Sequence, residues 1–235
     1  MLARLKEKKS PLTYMETHAG SGLYDLSGPE SLKTGEAGHG ILKYLQMDIP
    51  PVGHPYRTVL DQVRNKFGEN FYPGSPVIAR SLLGKDDNIH LMELHPAENK
   101  NLVRIMRGWG AHIHLRDGFE GVLGISPPNP RRGLVFIDPS YEVKTEYGDA
   151  AEFVKNLHKK WPEATIVLWY PLLAAGLHKG MGSALDDANL KNLTRHEVSF
   201  STHKETHRIL GSGAVIINTP FGTEQAISEV CAWMG

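Results

Sequence analysis

The sequence predicts an α/β protein built on a mostly parallel, doubly wound sheet. Short apolar runs alternate with amphipathic stretches along most of the 235 residues, the rhythm of repeated βα units. Two runs, "GLVFIDP" from Gly133 and "ATIVLWYP" from Ala164, are continuously apolar, as strands covered on both faces are. With 40% hydrophobic and 22% charged residues, the chain has the composition and length of one globular domain with a modest insertion.

Taken in order, "LTYMET" (Leu12–Thr17) is strand-like and breaks into "HAGSG". Residues 26–72 break the rhythm; they are richer in Gly, Pro and polar residues. About 70 residues between the first two core strands are too many for one crossover helix, so this stretch reads as a helical insertion within a single domain, 1–235. "SPVIARSLLG" (Ser75–Gly84) is a helix with Ser75 as its N-cap, Pro in the first turn and Gly at the end. "NIHLMELHP" (Asn88–Pro96) alternates as a strand, "PAENKNLVRIMRG" (Pro96–Gly108) as a helix, and "AHIHLRDGF" (Ala111–Phe119) as a strand again. After "GLVFIDP", the stretch Tyr147–Trp161 spaces Phe153, Leu157 and Trp161 at helical intervals. "RHEVSFS" (Arg195–Ser201) and "GAVIINTP" (Gly213–Pro220) are two further strands, and Gly222–Met234 is a last helix.

Charge excludes little and directs nothing. Lys plus Arg equals Asp plus Glu, 26 each, so net charge gives no pull toward nucleic acid. Basic clusters at Arg4–Lys9, Arg131-Arg132 and Lys155–Lys160 are ordinarily solvated faces. No apolar run reaches the ~18–20 residues of a membrane span. "MLARLKEKKS" has no apolar core and does not read as a secretory signal. One cysteine, Cys231, excludes an internal disulfide, and a cytoplasmic location is the expectation. No metal site is expected. His203 and His207 are four apart, but Lys204 stands where a zinc-protease helix has Glu. His112 and His114 share one strand face.

Ligands of open parallel sheets sit outside the C-terminal strand ends. Four such ends carry notable residues: Glu16, His18, Gly20 and Gly22 at the first, Glu93 at the second, Asp117-Gly118 at the third, and Asp138-Pro139-Ser140-Tyr141 at the fourth. Gly20 and Gly22 let the backbone approach a ligand. Asp25 stands where a dinucleotide fingerprint has its third glycine, which argues against a pyrophosphate cofactor. Glu93 is placed to accept ribose hydroxyls, and Asp117 an exocyclic amine, although Asp-Gly is equally a turn signal. "PGSP" with Ser75 offers a helix start to the same rim. Together these residues describe a pocket for an adenosine-containing ligand without phosphates; S-adenosylmethionine, with a cationic sulfonium beside carboxylates, fits. Trp169-Tyr170-Pro171 is either a pocket wall or ordinary packing.

The motifs "YMETHAGSGLY", "YPGSPVIARSLL", "LMELHP", "RDGF", "RRGLVFIDPSYEVKTEY" and "LWYP" closely resemble the RlmJ family, bacterial adenine-N6 methyltransferases of large-subunit (23S) ribosomal RNA. An older label ties the family to use of external DNA. The resemblance implies a class I S-adenosylmethionine-dependent methyltransferase fold with a small helical insertion, working as a monomer on 23S rRNA. It places His18, Ser75, Glu93, Asp117 and Gly118 in the cofactor pocket and makes Asp138 the catalytic residue. Asp138 and the Pro139 carbonyl would grip the amine, and Tyr141 would stack on the base. Members usually begin with a further stretch rich in His, Tyr and Lys, and carry Pro where this chain has Ser140. The motifs read the amine rather than the polymer. Methylation of DNA, and a non-catalytic nucleic-acid-binding module on the same fold, are therefore the alternatives.

Overall fold

The computed structural model describes residues 1–28, 47, 49–200 and 209–234. Seven strands form the main sheet: β1 (Thr13–Glu16), β4 (Asn88–Met92), β5 (His112–His114), β6 (Gly133–Ile137), β7 (Thr165–Leu173), β8 (Leu193–Ser199) and β9 (Ile209–Ile217). Their order is β5-β4-β1-β6-β7-β9-β8. The first five are parallel to one another, whereas β9 runs antiparallel to both β7 and β8. This is a doubly wound sheet with one reversed strand. The expected strands are present; β1, β4, β5 and β6 are shorter than read, and β8 and β9 start earlier. β4 stops at Met92, leaving Glu93 just beyond it, and β5 stops three residues before Asp117. β7 instead runs on through Pro171, which sits opposite Ser212 in the antiparallel ladder.

Alternation on the central strands explains their apolar runs. Val135 and Ile137 of β6 enter the core on one face, and Leu134 and Phe136 the core on the other. Met15 and Tyr14 of β1 divide in the same way. One face is covered by α5 (Gly118–Ile125), α6 (Glu146–Lys160) and α7 (Leu177–Asp187), which contribute Val122, Phe153, Val154, Leu157, Met181 and Leu185. The other is covered by α1 (Leu2–Glu7), α2 (Pro55–Phe67), α3 (Ser75–Leu82) and α4 (Pro96–Ile105), through Leu5, Val59, Val63, Val77, Ala79 and Leu102. Helix α8 (Glu224–Met234) closes the chain. Cys231 is half-buried on it, not in the core.

Two elements depart from the sequence reading. α7 was hidden by Gly180 and Gly182, which lower helix propensity. The Arg195 guanidinium lies against Gly182 and donates to its carbonyl at 3.1 Å. The second is a small hairpin, β2 (Leu23–Asp25) with β3 (Phe71–Pro73), which brackets the stretch read as an insertion. Within that stretch α2 is described, and its Tyr56 hydroxyl donates to that of Tyr72 at 2.8 Å, tying helix to hairpin.

Candidate active site

The strand order reverses between β1 and β6: the chain leaves β1 toward β4 and β5, and leaves β6 toward β7. Such a switch point opens a crevice above the strand ends. The loop after β1 is stitched into it. Thr17 N donates to Phe136 O at 3.1 Å and Ala19 N to Met92 O at 3.0 Å. Gly20 and Gly22 both have left-handed φ, +59° and +76°, a conformation cheap only for glycine. A Cβ on Gly20 would also collide with the Tyr24 hydroxyl. From the other side, Asp117 caps α5 by accepting from Glu120 N at 2.9 Å. Gly118 lies so close to the loop that a Cβ would collide with the Thr17 carbonyl.

Carboxylates gather on this rim without cations. Glu93 is 9% exposed and accepts from Gly20 N and His95 N, both at 2.7 Å. Glu16 is fully buried and accepts from Tyr14 OH at 3.0 Å and from Ser75 Oγ. Burial pushes its carboxyl up to about 8, against the pull of those two bonds, and the nearby charges of Asp138 and Glu93 add to the rise. Asp138 is raised to about 6, also by burial. Among the described residues no Lys or Arg pairs with Glu16, Glu93 or Asp138. Three acidic groups crowded in low dielectric without a counter-ion fit a cationic ligand. That is an observation of this chain consistent with a sulfonium. His18 stands among Glu93, Asp117 and Glu146, but burial dominates and lowers its pKa. Its ring meets Phe119 edge-on at 5.3 Å.

In the turn after β6, Asp138 is half-buried, Pro139 and Tyr141 are buried and Ser140 is exposed. Nothing among the described residues donates to the Asp138 carboxylate or to the Pro139 carbonyl. Tyr141 follows in a left-handed conformation, φ +56°, which costs a non-glycine residue roughly 1–2 kcal/mol. Its hydroxyl donates to Trp169 O at 2.7 Å, and its ring packs 4.4 Å from Tyr147. The ring is only 7% exposed, so Tyr141 faces mainly inward.

His18, Gly20, Gly22, Glu93, Asp117, Gly118, Asp138 and Pro139 therefore meet at the ends of four neighbouring strands. Ser75 is not the N-cap read from the sequence: it is the first residue of α3, Gly74 holds the cap position, and there is no side-chain cap. Its hydroxyl is instead spent on buried Glu16. Tyr170 is packing, with 1% exposure and its hydroxyl on Glu197, whereas Trp169 borders the Tyr141 ring at 6.2 Å. The sequence marks Glu16 as an acidic strand end on the rim, but assigns no role to Tyr14 or Tyr24. Residues 14 and 16 lie on one face of β1, a signal available from strand periodicity. Tyr24 needed the hairpin; burial pushes its hydroxyl up to about 12.

The basic clusters read from the sequence are largely committed. Lys6 pairs with Asp87 at 2.7 Å, Arg131 with Glu163 at 2.5 Å, and Lys155 with Glu152 at 2.5 Å. Lys100, Arg104 and Arg107 instead have no acidic partner among the described residues and line one groove on α4 and just past its end with Asn101 and Val103. His90 joins His112 and His114 at the sheet edge, stacked at 4.8 and 5.6 Å. Burial holds His90 down at about 4. No group of three or more His, Cys, Asp or Glu among the described residues is placed to hold a metal. His203 and His207 lie outside them.

The family model described as "Ribosomal RNA large subunit methyltransferase D, RlmJ" matches residues 9–235. The chain belongs to the RlmJ family. Its similarity to the Escherichia coli protein named ribosomal RNA large subunit methyltransferase J is 32% identity, over 100% of this chain and 84% of that one. The Haemophilus influenzae protein of the same name is 31% identical, again over 100% of this chain and 84% of its own length. Protein LPL1258 of Legionella pneumophila superposes with a TM-score of 0.87 at 29% identity, covering 98% of this chain and 85% of that structure. The fold is that of a class I S-adenosylmethionine-dependent methyltransferase, and S-adenosylmethionine is the RlmJ family cofactor.

Proposed function

We propose that this chain transfers the methyl group of S-adenosylmethionine to the N6 amine of an adenine in 23S ribosomal RNA, as a cytoplasmic monomer. Family membership supports the reaction class. The observation that carries the site assignment is the pair of acceptors at the switch point, the Asp138 carboxylate and the Pro139 carbonyl, without a donor among the described residues.

An adenine amine is a poor nucleophile because its lone pair is delocalised into the ring. Two acceptors in fixed positions can each take one N–H, which favours a pyramidal nitrogen with its lone pair aimed away from them. Bound S-adenosylmethionine supplies a methyl on cationic sulfur, a bond whose neutral thioether leaves readily. Asp138 also lies where the proton shed by the methylated amine can be taken up. The Gly20–Gly22 loop, Glu93, Asp117 and Gly118 would hold the cofactor, with His18 against Phe119 beside it. Glu16 would hold the rim together by fixing Ser75. Tyr141 would anchor the turn through Trp169 and flank the base with the small outer face it keeps. The target base must be unpaired or flipped to enter. The cationic groove of α4, free of acids, is the candidate track for RNA phosphates.

Incubation with labelled methyl donor and either unmodified large-subunit rRNA or DNA, followed by nucleoside analysis, tests the reading. N6-methyladenosine in the rRNA alone is expected. Label on DNA alone would overturn the choice of polymer, and absence of S-adenosylmethionine binding would favour a non-catalytic module.

A further inference from the structure

The segment between β6 and α6 is closed by one side chain. Ser140 Oγ donates to the two carboxylate oxygens of Glu146 at 3.3 and 3.4 Å, and accepts from the Glu142 amide at 3.5 Å. The same carboxylate accepts from Val143 N at 3.3 Å, while Glu146 N donates to Val143 O at 3.0 Å. Bonds of this length are individually weak, but they converge on one group. That group opens α6, a 15-residue helix pinned by buried Ala150, Phe153, Val154 and Leu157. The clamp is therefore mounted on a rigid element.

What it clamps matters because of peptide planarity. The Pro139 carbonyl and the Ser140 amide belong to one rigid plane. The Ser140 amide donates no hydrogen bond among the described residues, so that plane is not held from its own N–H. Tyr141, beyond it, is fixed through Trp169. The remaining freedom is rotation about Ser140, and Glu146 is the group that restrains it.

We propose that Glu146 is a positioning residue for methyl transfer: through Ser140 it sets the direction in which the Pro139 carbonyl and the Asp138 carboxylate face the amine. The inference rests on the reading of that turn as the amine grip. A proline at position 140 would restrict the same rotation covalently and would break no existing hydrogen bond of the Ser140 amide. It cannot supply negative charge. Rescue by proline therefore separates a geometric role of Glu146 from an effect of its charge, which also reaches His18 and Tyr141.

The test is single-turnover methylation of large-subunit rRNA by the full chain and its Ser140→Ala, Glu146→Ala, Glu146→Ala/Ser140→Pro and Asp138→Ala variants, with calorimetric affinity for S-adenosylmethionine. Ser140→Ala and Glu146→Ala are expected to slow the step roughly 5–10-fold, less than the ~100-fold cost of a full 1 Å misplacement. Cofactor affinity should stay unchanged, and the double variant should recover most of the rate. An unaltered rate in Glu146→Ala, or a loss that Ser140→Pro does not restore, would overturn the proposal. Should Glu146→Ala melt early, Ser140→Ala at its exposed position carries the test, and a wild-type rate there is equally fatal. Turnover by Asp138→Ala would instead sink the reading of the turn itself.

Discussion

Replacing Glu16 by Gln gives a stability difference whose pH dependence follows from the buried rim. In the folded protein the Glu16 carboxyl ionises near 8, against an ordinary 4.5, chiefly because it is buried. A group whose pKa rises on folding keeps its full contribution below its unfolded value. The contribution is then lost as pH rises through the folded value. The gap of about 3.5 units, at ~1.36 kcal/mol per unit, corresponds to a loss on the order of 5 kcal/mol between pH 4 and pH 9. Gln is neutral throughout and escapes this loss. It still accepts one of the two hydroxyl bonds from Tyr14 and Ser75, so it carries a pH-independent cost of ~1 kcal/mol for the other. Urea unfolding of both proteins at pH 4.5, 6.5 and 9 reads the difference. The wild type is expected to be the more stable at pH 4.5 and the variant clearly so at pH 9. A difference that stays constant across the range would refute the argument that Glu16 is held protonated.

Three further outcomes follow from the same geometry. Gly118→Ala forces a methyl into the Thr17 carbonyl and should destabilise the fold by roughly 1–3 kcal/mol, with a matching loss of cofactor affinity in calorimetry. Joint charge reversal of Lys100, Arg104 and Arg107 should weaken RNA binding and flatten the dependence of log affinity on log salt, by up to ~0.9 per lost phosphate contact. It should leave S-adenosylmethionine affinity intact; an unchanged slope would remove α4 from the RNA path. Single-turnover methylation should fall as pH drops through about 6, where Asp138 takes a proton and one of the two amine acceptors is lost; a flat profile from pH 5 to 8 would deny it that role.

The rim was legible where an acidic residue comes at or just past the end of an apolar pattern. Glu93, Asp117 and Asp138 each end a strand-like segment, so one-dimensional pattern located them. What depends on register or on an element's exact start was not legible. Ser75 looks like a cap because Ser-Pro opens many helices; only the packing of α3 against β1 shows its hydroxyl turned to Glu16. Tyr141 looks like an exposed aromatic after a turn, whereas its left-handed backbone rotates it inward onto Tyr147. Two of the basic residues conspicuous in the sequence are neutralised by acids distant in it, Asp87 for Lys6 and Glu163 for Arg131. Lys100, Arg104 and Arg107, without acidic partners among the described residues, are spread along α4 and just past its end and form no run. The reversed β9 was likewise invisible, because apolar alternation carries no direction.

The most direct test of the account is Asp138→Ala measured in two ways at once. Calorimetry should show S-adenosylmethionine still bound, since the Gly20–Gly22 loop, Glu93, Asp117 and Gly118 are assigned to hold it and Asp138 adds only its charge to the rim. Nucleoside analysis of treated large-subunit rRNA should show N6-methyladenosine formed by the wild type and lost in the variant, a rate loss of at least ~100-fold. Wild-type-like formation of N6-methyladenosine by Asp138→Ala would contradict the central claim that this turn grips the amine.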